Sequence, residues 1–212
     1  MNGSDPSIER TCPASRVRSL LSNIAPQYPM SARPAVDVTF RVAVDADALC
    51  IGVLATQVFL DSYATDGIRP SLAREVLEHL STNAVSALLS NPNARFIVAE
   101  RAGHMVAFAQ LTCGSTQELV PSGTAAELNR LYVQEPFTRM GIGTVLLHRA
   151  EAMAASEGVS TMWLTGWVGN RRALAFYASR GYKDLGATTY VFENEQYENR
   201  VLAKPLHGQI AT

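Results

Sequence analysis

Two glycines stand where a helix-forming run begins, an arrangement that is typical of a binding site for an anion. The run QEPFTRMGIGTVLLHRAEAMAA spans residues 134–155, with Gly141 and Gly143 just ahead of its apolar helical pattern. Because glycine has no Cβ atom, another molecule can approach the main chain closely there. The first amides of a helix have no partner within the helix and lie at the positive end of its dipole. The run therefore predicts a site for a phosphate group.

The glycine pair alone does not define the kind of site. A dinucleotide-binding fingerprint would have a third glycine where Leu146 stands, and a Walker loop would have Gly-Lys-Ser or Gly-Lys-Thr, so both are excluded. A helix start that uses glycine only for close packing stays open. A second motif, NRRALAFYASRGY at residues 170–182, has the spacing N-x-x-A-x-x-x-Y-x-x-x-G-Y. The two motifs together favour a functional interpretation of the glycines.

These motifs, with the strand-like LNRLYV before them, resemble the GCN5-related N-acetyltransferase (GNAT) superfamily over roughly residues 36–206. The resemblance implies a single α/β domain that uses acetyl-CoA as co-substrate. Within the superfamily, VFLDSYA, LSNPNARFIVAE and RLYVQEPFTRMGIGTVLL are most similar to the bacterial branch that includes spermidine/spermine acetyltransferases. The implied reaction is acetyl transfer to a primary amine of a polyamine, small metabolite, antibiotic or protein, by direct attack in a ternary complex.

The resemblance also implies where coenzyme A binds. The amides of residues 139–144 would bind the pyrophosphate, the strand edge at residues 131–133 would hydrogen-bond the pantetheine arm, and Asn170 would contact pantetheine or sulfur while capping its helix. The family favours Gln or Arg where Thr138 stands, so either Arg139 supplies the missing charge or coenzyme A binds more weakly. The implied cofactor residues are Leu131, Tyr132, Val133, Arg139, Met140, Gly141, Ile142, Gly143, Thr144, Asn170, Ala173 and Tyr177.

Acetyl transfer to an amine needs a proton acceptor and a proton donor. A primary amine has a pKa near 10.4, so roughly one molecule in a thousand or fewer is neutral at pH 7. The departing coenzyme A thiolate is held back from return attack when its sulfur is protonated. In the family a helical tyrosine gives this proton and corresponds to Tyr177; the alternative is a core aromatic beside Phe176.

Glu127 is the candidate proton acceptor, and two interpretations of this residue stay open. Some family members carry a Glu on the strand after the glycine-led helix, but WLTGWV offers Thr165 and Trp167 there. Period-two alternation places Glu127 on the same strand face as Asn129 and Leu131. Glu127 is therefore the catalytic candidate, acting directly or through water, and a solvated glutamate is the alternative. A non-catalytic acyl-CoA-binding sensor or regulatory module remains the alternative function.

The acceptor amine is expected between the first two helices and the last strands. Tyr63, Trp167 and Tyr190 are the candidate substrate-binding residues, with Asp61 beside them. A polyamine would favour nearby acids, although ordinary surface charge explains them equally well. These acids are Glu75, Glu78, Glu193 and Glu195.

Strand-period and helix-period runs alternate from Val36 onward. Helices are predicted over ADALCIGVLATQVFLDSYA, from about Ser71 as a cap to Ser90, from the glycine pair to about Gly158, and over NRRALAFYASRGY. Strands are predicted over VDVTFRVAV, ARFIVAER, HMVAFAQLTC, AELNRLYVQ, TMWLTGW and, as two strands or a long hairpin, ATTYVFENEQYENRVLAKPL. The pattern predicts the α/β class: a mixed, mostly antiparallel central sheet flanked by about four helices.

Composition limits the partners and the compartment. The 212 residues carry a formal net charge of −1, so the chain lacks the overall positive charge that would attract a nucleic-acid backbone. No apolar stretch is long enough to span a membrane. Three scattered cysteines form no disulfide framework, which favours the cytoplasm, and a monomer or homodimer is expected. His79, His104, His148 and His207 lack metal-ligand spacing, so no metal is expected.

The N-terminal residues differ in composition from the rest of the chain. Residues 1–35 are rich in Ser, Pro and Arg and have no sustained apolar segment, so we expect a mobile extension there. Met30 is an alternative start of translation. The acetyltransferase domain is expected over residues 36–208.

Overall fold

The structure is a computed structural model that describes residues 37–192 and 195–206. The expected N-terminal extension, with the alternative start at Met30, lies outside these residues. The helices are α1 (Ala48–Tyr63), α2 (Pro70–His79), α3 (Thr82–Leu89), α4 (Ile142–Ser156) and α5 (Arg171–Ala178). The strands are β1 (Val38–Val42), β2 (Ala94–Arg101), β3 (His104–Cys113), β4 (Ala125–Val133), β5 (Thr161–Trp167), β6 (Lys183–Phe192) and β7 (Glu195–Pro205).

The strands form one seven-stranded sheet in the order β1-β2-β3-β4-β5-β7-β6. Neighbouring strands are antiparallel except β4 and β5, which α4 connects in parallel. The predicted hairpins β2–β3 and β6–β7 are both present. The prediction of an α/β fold with a mixed, mostly antiparallel sheet is therefore confirmed.

The parallel pair β4–β5 separates after a short contact. Ala125, Ala126 and Glu127 pair with Thr161, Met162 and Trp163, and the pairing ends there. Beyond this point β4 continues beside β3 to Val133, while β5 continues beside β7 to Trp167. The result is a gap in the middle of the sheet, with main-chain groups of β4 along one side.

A β-bulge interrupts the pairing of β3 with β4. Gln110 lies opposite Arg130 and Leu111 lies opposite Leu128, so Asn129 is an extra residue on β4. An extra residue on one strand shifts the alternation of all side chains that follow it. The hydroxyl of Thr112 on β3 donates to the Asn129 side-chain oxygen at 2.7 Å, which anchors the bulge.

The bulge changes which β4 residues share a face. Leu128 and Leu131 both pack on the α4 side of the sheet, whereas Glu127 and Arg130 line a cavity on the α1 side. The prediction that Glu127 shares a face with Leu131 is therefore wrong. Strict period-two alternation applies only to a strand without an extra residue.

The core has a layer on each face of the sheet. On the α4 face, the fully buried side chains include Leu111, Leu146, Leu147, Met162 and Leu164. On the opposite face, α1 and α3 pack against Phe96, Val98 and Phe108. Because both faces are covered, the central strands read as nearly continuous apolar runs.

The helix predicted from Ser71 to Ser90 is two helices, and this break accounts for the fifth helix. Pro70 occupies the first turn of α2, so Ser71 lies inside the helix instead of capping it. Ser81 has extended backbone angles, and its side chain accepts from the Ala84 amide at 3.3 Å at the start of α3. This cap ends the continuous helical pattern that the apolar spacing indicates.

Gly52 in α1 lies against the link between α2 and α3. A Cβ atom at this position would lie 2.7 Å from the Leu80 carbonyl oxygen, a main-chain atom. We expect Gly52→Ala to lower the free energy of unfolding by about 1–2 kcal/mol, because overpacking costs up to about 3 kcal/mol and the higher helix propensity of alanine offsets about 1 kcal/mol of it. Urea unfolding measures the change, and Cys50→Ala, at an exposed position of the same helix, is the control. A Gly52→Ala protein as stable as the wild type would show that α1 can move away from the link.

Candidate active site

A cavity of about 510 Å³ opens where β4 ends and α4 and α5 begin. We call it the donor cavity. Its walls include the turn before α4, side chains of β4 and one side of α5. The lining residues used below are Leu131, Val133, Arg139, Gly141, Gly143, Thr144, Asn170, Arg172, Ala173, Tyr177 and Arg180.

The turn before α4 presents a row of free amides. Arg139 has φ 60° and Gly141, at the N-cap of α4, has φ 83°. Among residues 37–192 and 195–206, no acceptor binds the amides of residues 139–143. The Thr144 amide, by contrast, donates to the Gly141 carbonyl at 3.0 Å. Five consecutive free amides at a helix N-terminus form a concave site for a phosphate group.

Arginines add positive charge to this cavity. The Arg180 guanidinium donates to the Thr144 hydroxyl at 2.6 Å and lies 3.7 Å from the centre of the Phe176 ring. Its buried Nε has no partner in the described part of the chain. Arg172 pairs with Glu135 at 3.0 Å at the rim. The cavity therefore combines a phosphate-sized turn with guanidinium groups that suit further phosphate oxygens.

Tyr177 lies in the wall of the donor cavity, on α5. Its ring makes edge-on contacts with Phe176 and Tyr182, at centroid distances of 5.2 Å and 5.6 Å. Burial raises the pKa of the Tyr177 hydroxyl well above its usual value, and Tyr132 and Tyr63 raise it further. This hydroxyl stays protonated at neutral pH, so it can donate a proton but does not serve as a base.

A second cavity of about 500 Å³ lies between α1, α2, β4 and the strands β5–β7. We call it the acceptor cavity. Aromatic side chains form much of its wall, and the Tyr63 and Trp167 rings lie 5.9 Å apart. Its charged residues are Asp66, Arg69, Glu75, Glu127 and Arg130.

Glu127 faces the acceptor cavity at the point where β4 and β5 separate. Burial raises the pKa of its carboxyl, while a hydrogen bond with Asn129 and the charge of Arg130 lower it by less. A carboxylate with a raised pKa is a stronger proton acceptor than an ordinary surface glutamate. Glu127 is therefore suited to take a proton from a bound cation.

The two cavities lie on either side of the same elements. On β4, Leu131 and Val133 face the donor cavity and Tyr132 faces the acceptor cavity. On α1, Ser62 lines the donor cavity and Tyr63 the acceptor cavity. β4 and α1 therefore border both cavities, with Tyr177 lining the donor cavity and Glu127 lining the acceptor cavity. Tyr63 and Tyr132 of the acceptor cavity lie close enough to Tyr177 to raise the pKa of its hydroxyl.

Residues 60–182, more than half of the chain, match the Acetyltransferase (GNAT) family. The chain belongs to this family. The predictions of a GNAT N-acetyltransferase and of acetyl-CoA as its acetyl donor are confirmed at the level of the family. The match includes β4, α5 and the turn before α4 at residues 139–143, which we call the glycine turn. These elements surround the donor cavity.

Individual relatives agree with this assignment. An uncharacterised N-acetyltransferase of Lactobacillus delbrueckii subsp. lactis is 24% identical over 155 residues, 72% of this chain and 88% of that protein. The PaiA N-acetyltransferase of Thermoplasma acidophilum, solved in complex with coenzyme A, aligns with a TM-score of 0.64 at 20% identity, covering 80% of this chain and 99% of that chain. The ribosomal-protein-S18-alanine N-acetyltransferase of Escherichia coli aligns with a TM-score of 0.57 at 18% identity, covering 82% and 99%. At these identities the two structures show a shared fold.

The residues predicted for the cofactor separate into three groups in this GNAT protein. Nine line the donor cavity: Leu131, Val133, Arg139, Gly141, Gly143, Thr144, Asn170, Ala173 and Tyr177. Met140 and Ile142 pack their side chains on the core, so only their amides face the turn. Tyr132 lines the acceptor cavity instead. Asn170 also caps α5, because its side-chain oxygen accepts from the Ala173 amide at 3.1 Å.

The residues predicted for the acceptor meet in one cavity. Tyr63, Trp167 and Tyr190 line it together with Glu127, and Glu75 lies in the same wall. Asp61 and Glu78 are exposed and line neither of the two cavities. Glu193 lies outside the described residues, and so does the side chain of Glu195.

The sequence does not predict four of the cavity arginines: Arg69, Arg130, Arg172 and Arg180. Arg172 and Arg180 lie on and just after α5, within the second motif but outside its fixed positions. Arg130 falls on the face opposite Glu127 if β4 alternates strictly, and only the bulge brings it to the same face. The signal available in the sequence was the clustering of arginines near the two motifs.

Two further properties concern metals and membranes. In the described part of the chain, His, Cys, Asp and Glu side chains form no group of three that could hold a metal ion. His207 lies outside that part. None of the helices in residues 37–192 and 195–206 has the length and apolar character needed to cross a membrane.

Proposed function

We propose that this GNAT protein transfers the acetyl group of acetyl-CoA to a primary amine by direct attack in a ternary complex. The carrying observation is that β4 and α1 line both cavities, with Tyr177 in the donor cavity and Glu127, at the end of the β4–β5 pairing, in the acceptor cavity. A donor and an acceptor can thus be bound at the same time on either side of the reacting atoms.

The donor cavity suits coenzyme A from its phosphates to its thioester. The pyrophosphate binds the free amides of residues 139–143, and Arg139, Arg172 and Arg180 bind further phosphate oxygens. The pantetheine arm runs along the unpaired edge of β4 at residues 131–133, where main-chain donors and acceptors are available. Asn170 contacts this arm with the amide group that its helix-capping oxygen leaves free.

The chemistry then follows from the two titratable groups. The bound ammonium gives a proton to the Glu127 carboxylate, directly or through a water molecule, and the neutral amine attacks the thioester carbon. The tetrahedral intermediate collapses as the carbon–sulfur bond breaks, and the departing sulfur takes the Tyr177 proton. The products are the acetylated amine and coenzyme A with a free thiol. Glu127 and Tyr177 return to their starting states by proton exchange with water.

Release of coenzyme A thiol from acetyl-CoA tests this proposal. The acceptor panel contains spermidine, spermine, aminoglycosides, N-terminal peptides and amino acids, and calorimetry measures acetyl-CoA binding separately. Thiol release that depends on an amine supports the transferase. Tight acetyl-CoA binding without release by any amine supports an acyl-CoA sensor instead. Absence of binding would remove the assignment of the glycine turn to the pyrophosphate.

A further inference from the structure

Arg130 is a half-buried guanidinium in the wall of the acceptor cavity. It lies opposite Gln110 in the β3–β4 pairing and donates to the side-chain oxygen of that buried glutamine. Its charge opposes the rise in pKa that burial causes in Tyr132 and Tyr190, so its head group lies among these cavity residues. The position of Arg130 is therefore fixed by strand pairing and by a hydrogen bond to a buried side chain.

Arg130 lacks the carboxylate partner that several other arginines have. Within the described residues Arg130 forms no ion pair, and its hydrogen-bond partners Gln110 and Tyr132 are both neutral. Other arginines do bind carboxylates: Arg41 with Asp47, Arg95 with Glu157, Arg172 with Glu135, and Arg200 with Asp184. The Glu127 carboxylate lies close enough for the charge of Arg130 to lower its pKa, but the two form no ion pair in the described part of the chain. The guanidinium is therefore available for a direct, paired contact with a carboxylate of a ligand.

The bulge sets Arg130 and Glu127 on one wall of the cavity. Their pairing partners on β3, Gln110 and Thr112, are two residues apart, which corresponds to about 7 Å along a strand. A proton acceptor and a guanidinium at this spacing can bind the two ends of a small dipolar molecule. The amine would face Glu127 and an anionic group would face Arg130.

We propose that the acceptor substrate is an amine that also carries a carboxylate, such as an amino acid with an apolar side chain; this inference rests on the proposed acetyltransferase function. The carboxylate accepts hydrogen bonds from Arg130, the arrangement that planar guanidinium groups favour. Phe59, Leu72 and Leu80 supply an apolar wall for the side chain, next to the Tyr63 and Trp167 rings.

The test compares amino acids with amines that lack only the carboxylate. The pairs are L-leucine with 3-methylbutylamine, L-methionine with 3-(methylthio)propylamine, and L-phenylalanine with 2-phenylethylamine. We expect the wild type to favour at least one amino acid over its partner amine by at least about tenfold in kcat/KM. We expect Arg130→Gln to raise KM for that amino acid by at least about tenfold, without changing the acetyl-CoA dissociation constant. Arg130→Lys should recover part of the preference because it keeps the charge.

Several outcomes decide the inference separately from the proposed function. Arg149→Gln, at an exposed position of α4 outside both cavities, is the matched control and should behave as the wild type. Thiol release that is equal or faster with the amines lacking a carboxylate supports the transferase and overturns the inference. If no amine releases thiol, the transferase proposal fails. Calorimetric titration of the same amino acids into coenzyme A-saturated protein then decides the inference: binding to the wild type but not to Arg130→Gln supports it, and any other result overturns it.

Discussion

Replacing Tyr177 with phenylalanine is expected to lower kcat at least about tenfold, and as much as the hundredfold or more that a general acid contributes. The substitution keeps the ring, and with it the edge-on contacts with Phe176 and Tyr182. It removes only the proton that the departing thiolate would take. The acetyl-CoA dissociation constant should change little, because the glycine turn and the arginines remain. Steady-state kinetics and calorimetry on the same preparations measure the two quantities.

A matched tyrosine distinguishes proton donation from a general effect of losing a hydroxyl. Tyr182 is buried next to Tyr177, lies outside both cavities, and donates to Glu151 at 3.1 Å. Tyr182→Phe should therefore lower stability modestly and keep most of the activity. Unchanged turnover in Tyr177→Phe would remove Tyr177 from the mechanism. An equal loss in both variants would assign the effect to packing around α5.

The pH dependence provides a second check on Tyr177. Burial raises its pKa above the usual value of about 10 for tyrosine, so the hydroxyl keeps its proton in weakly alkaline solution. Loss of a proton donor by titration would therefore occur only above the ordinary tyrosine range. We expect kcat not to fall with rising pH below about pH 10.

The sequence predicted most of the fold because its elements are strongly patterned. Local periodicity and turn residues indicate the antiparallel hairpin between β2 and β3, the glycine-led helix α4 and the helix α5. The break between α2 and α3 was missed because the apolar spacing continues across Ser81. A single serine that caps a new helix is a weak signal against a long apolar pattern.

The sequence predicts those site residues that belong to a local motif. It does not predict those whose orientation depends on how two strands pair. The family resemblance that the two local motifs carry implies that Gly141, Asn170 and Tyr177 contact the same cofactor, and all three line the donor cavity. Arg130 was not predictable, because its orientation depends on one extra residue in β4 that only the pairing with β3 reveals. A bulge is a property of two strands together, so the sequence of one strand rarely shows it.

Replacing Glu127 with glutamine is expected to lower kcat/KM for the amine by at least about a hundredfold at neutral pH, because the amine then lacks its proton acceptor. Glutamine keeps nearly the same shape and cannot take a proton. The acetyl-CoA dissociation constant should stay unchanged, since Glu127 lies in the other cavity. Glu78→Gln, at an exposed position of α2 outside both cavities, is the matched control and should retain full activity.

Stability and pH dependence separate this role from that of an ordinary surface glutamate. Burial raises the pKa of Glu127 in the folded protein above the value of 4.5 typical of glutamate, so folding favours its protonated form. The stability that protonation contributes is present at low pH and is lost as pH rises through the folded-state pKa. At neutral pH the ionised carboxylate therefore lowers stability, and Glu127→Gln should unfold at the same temperature as the wild type or higher.

The base role has the opposite dependence on the same titration, since only the ionised form accepts a proton. Wild-type kcat/KM should fall as pH drops through the raised pKa, at a higher pH than an unperturbed glutamate would cause. The residual activity of Glu127→Gln should not show this decline. If Glu127→Gln is inactive and also clearly less stable than the wild type, the carboxylate has a structural role. If it is inactive but at least as stable, the carboxylate serves catalysis and lowers the stability of the fold.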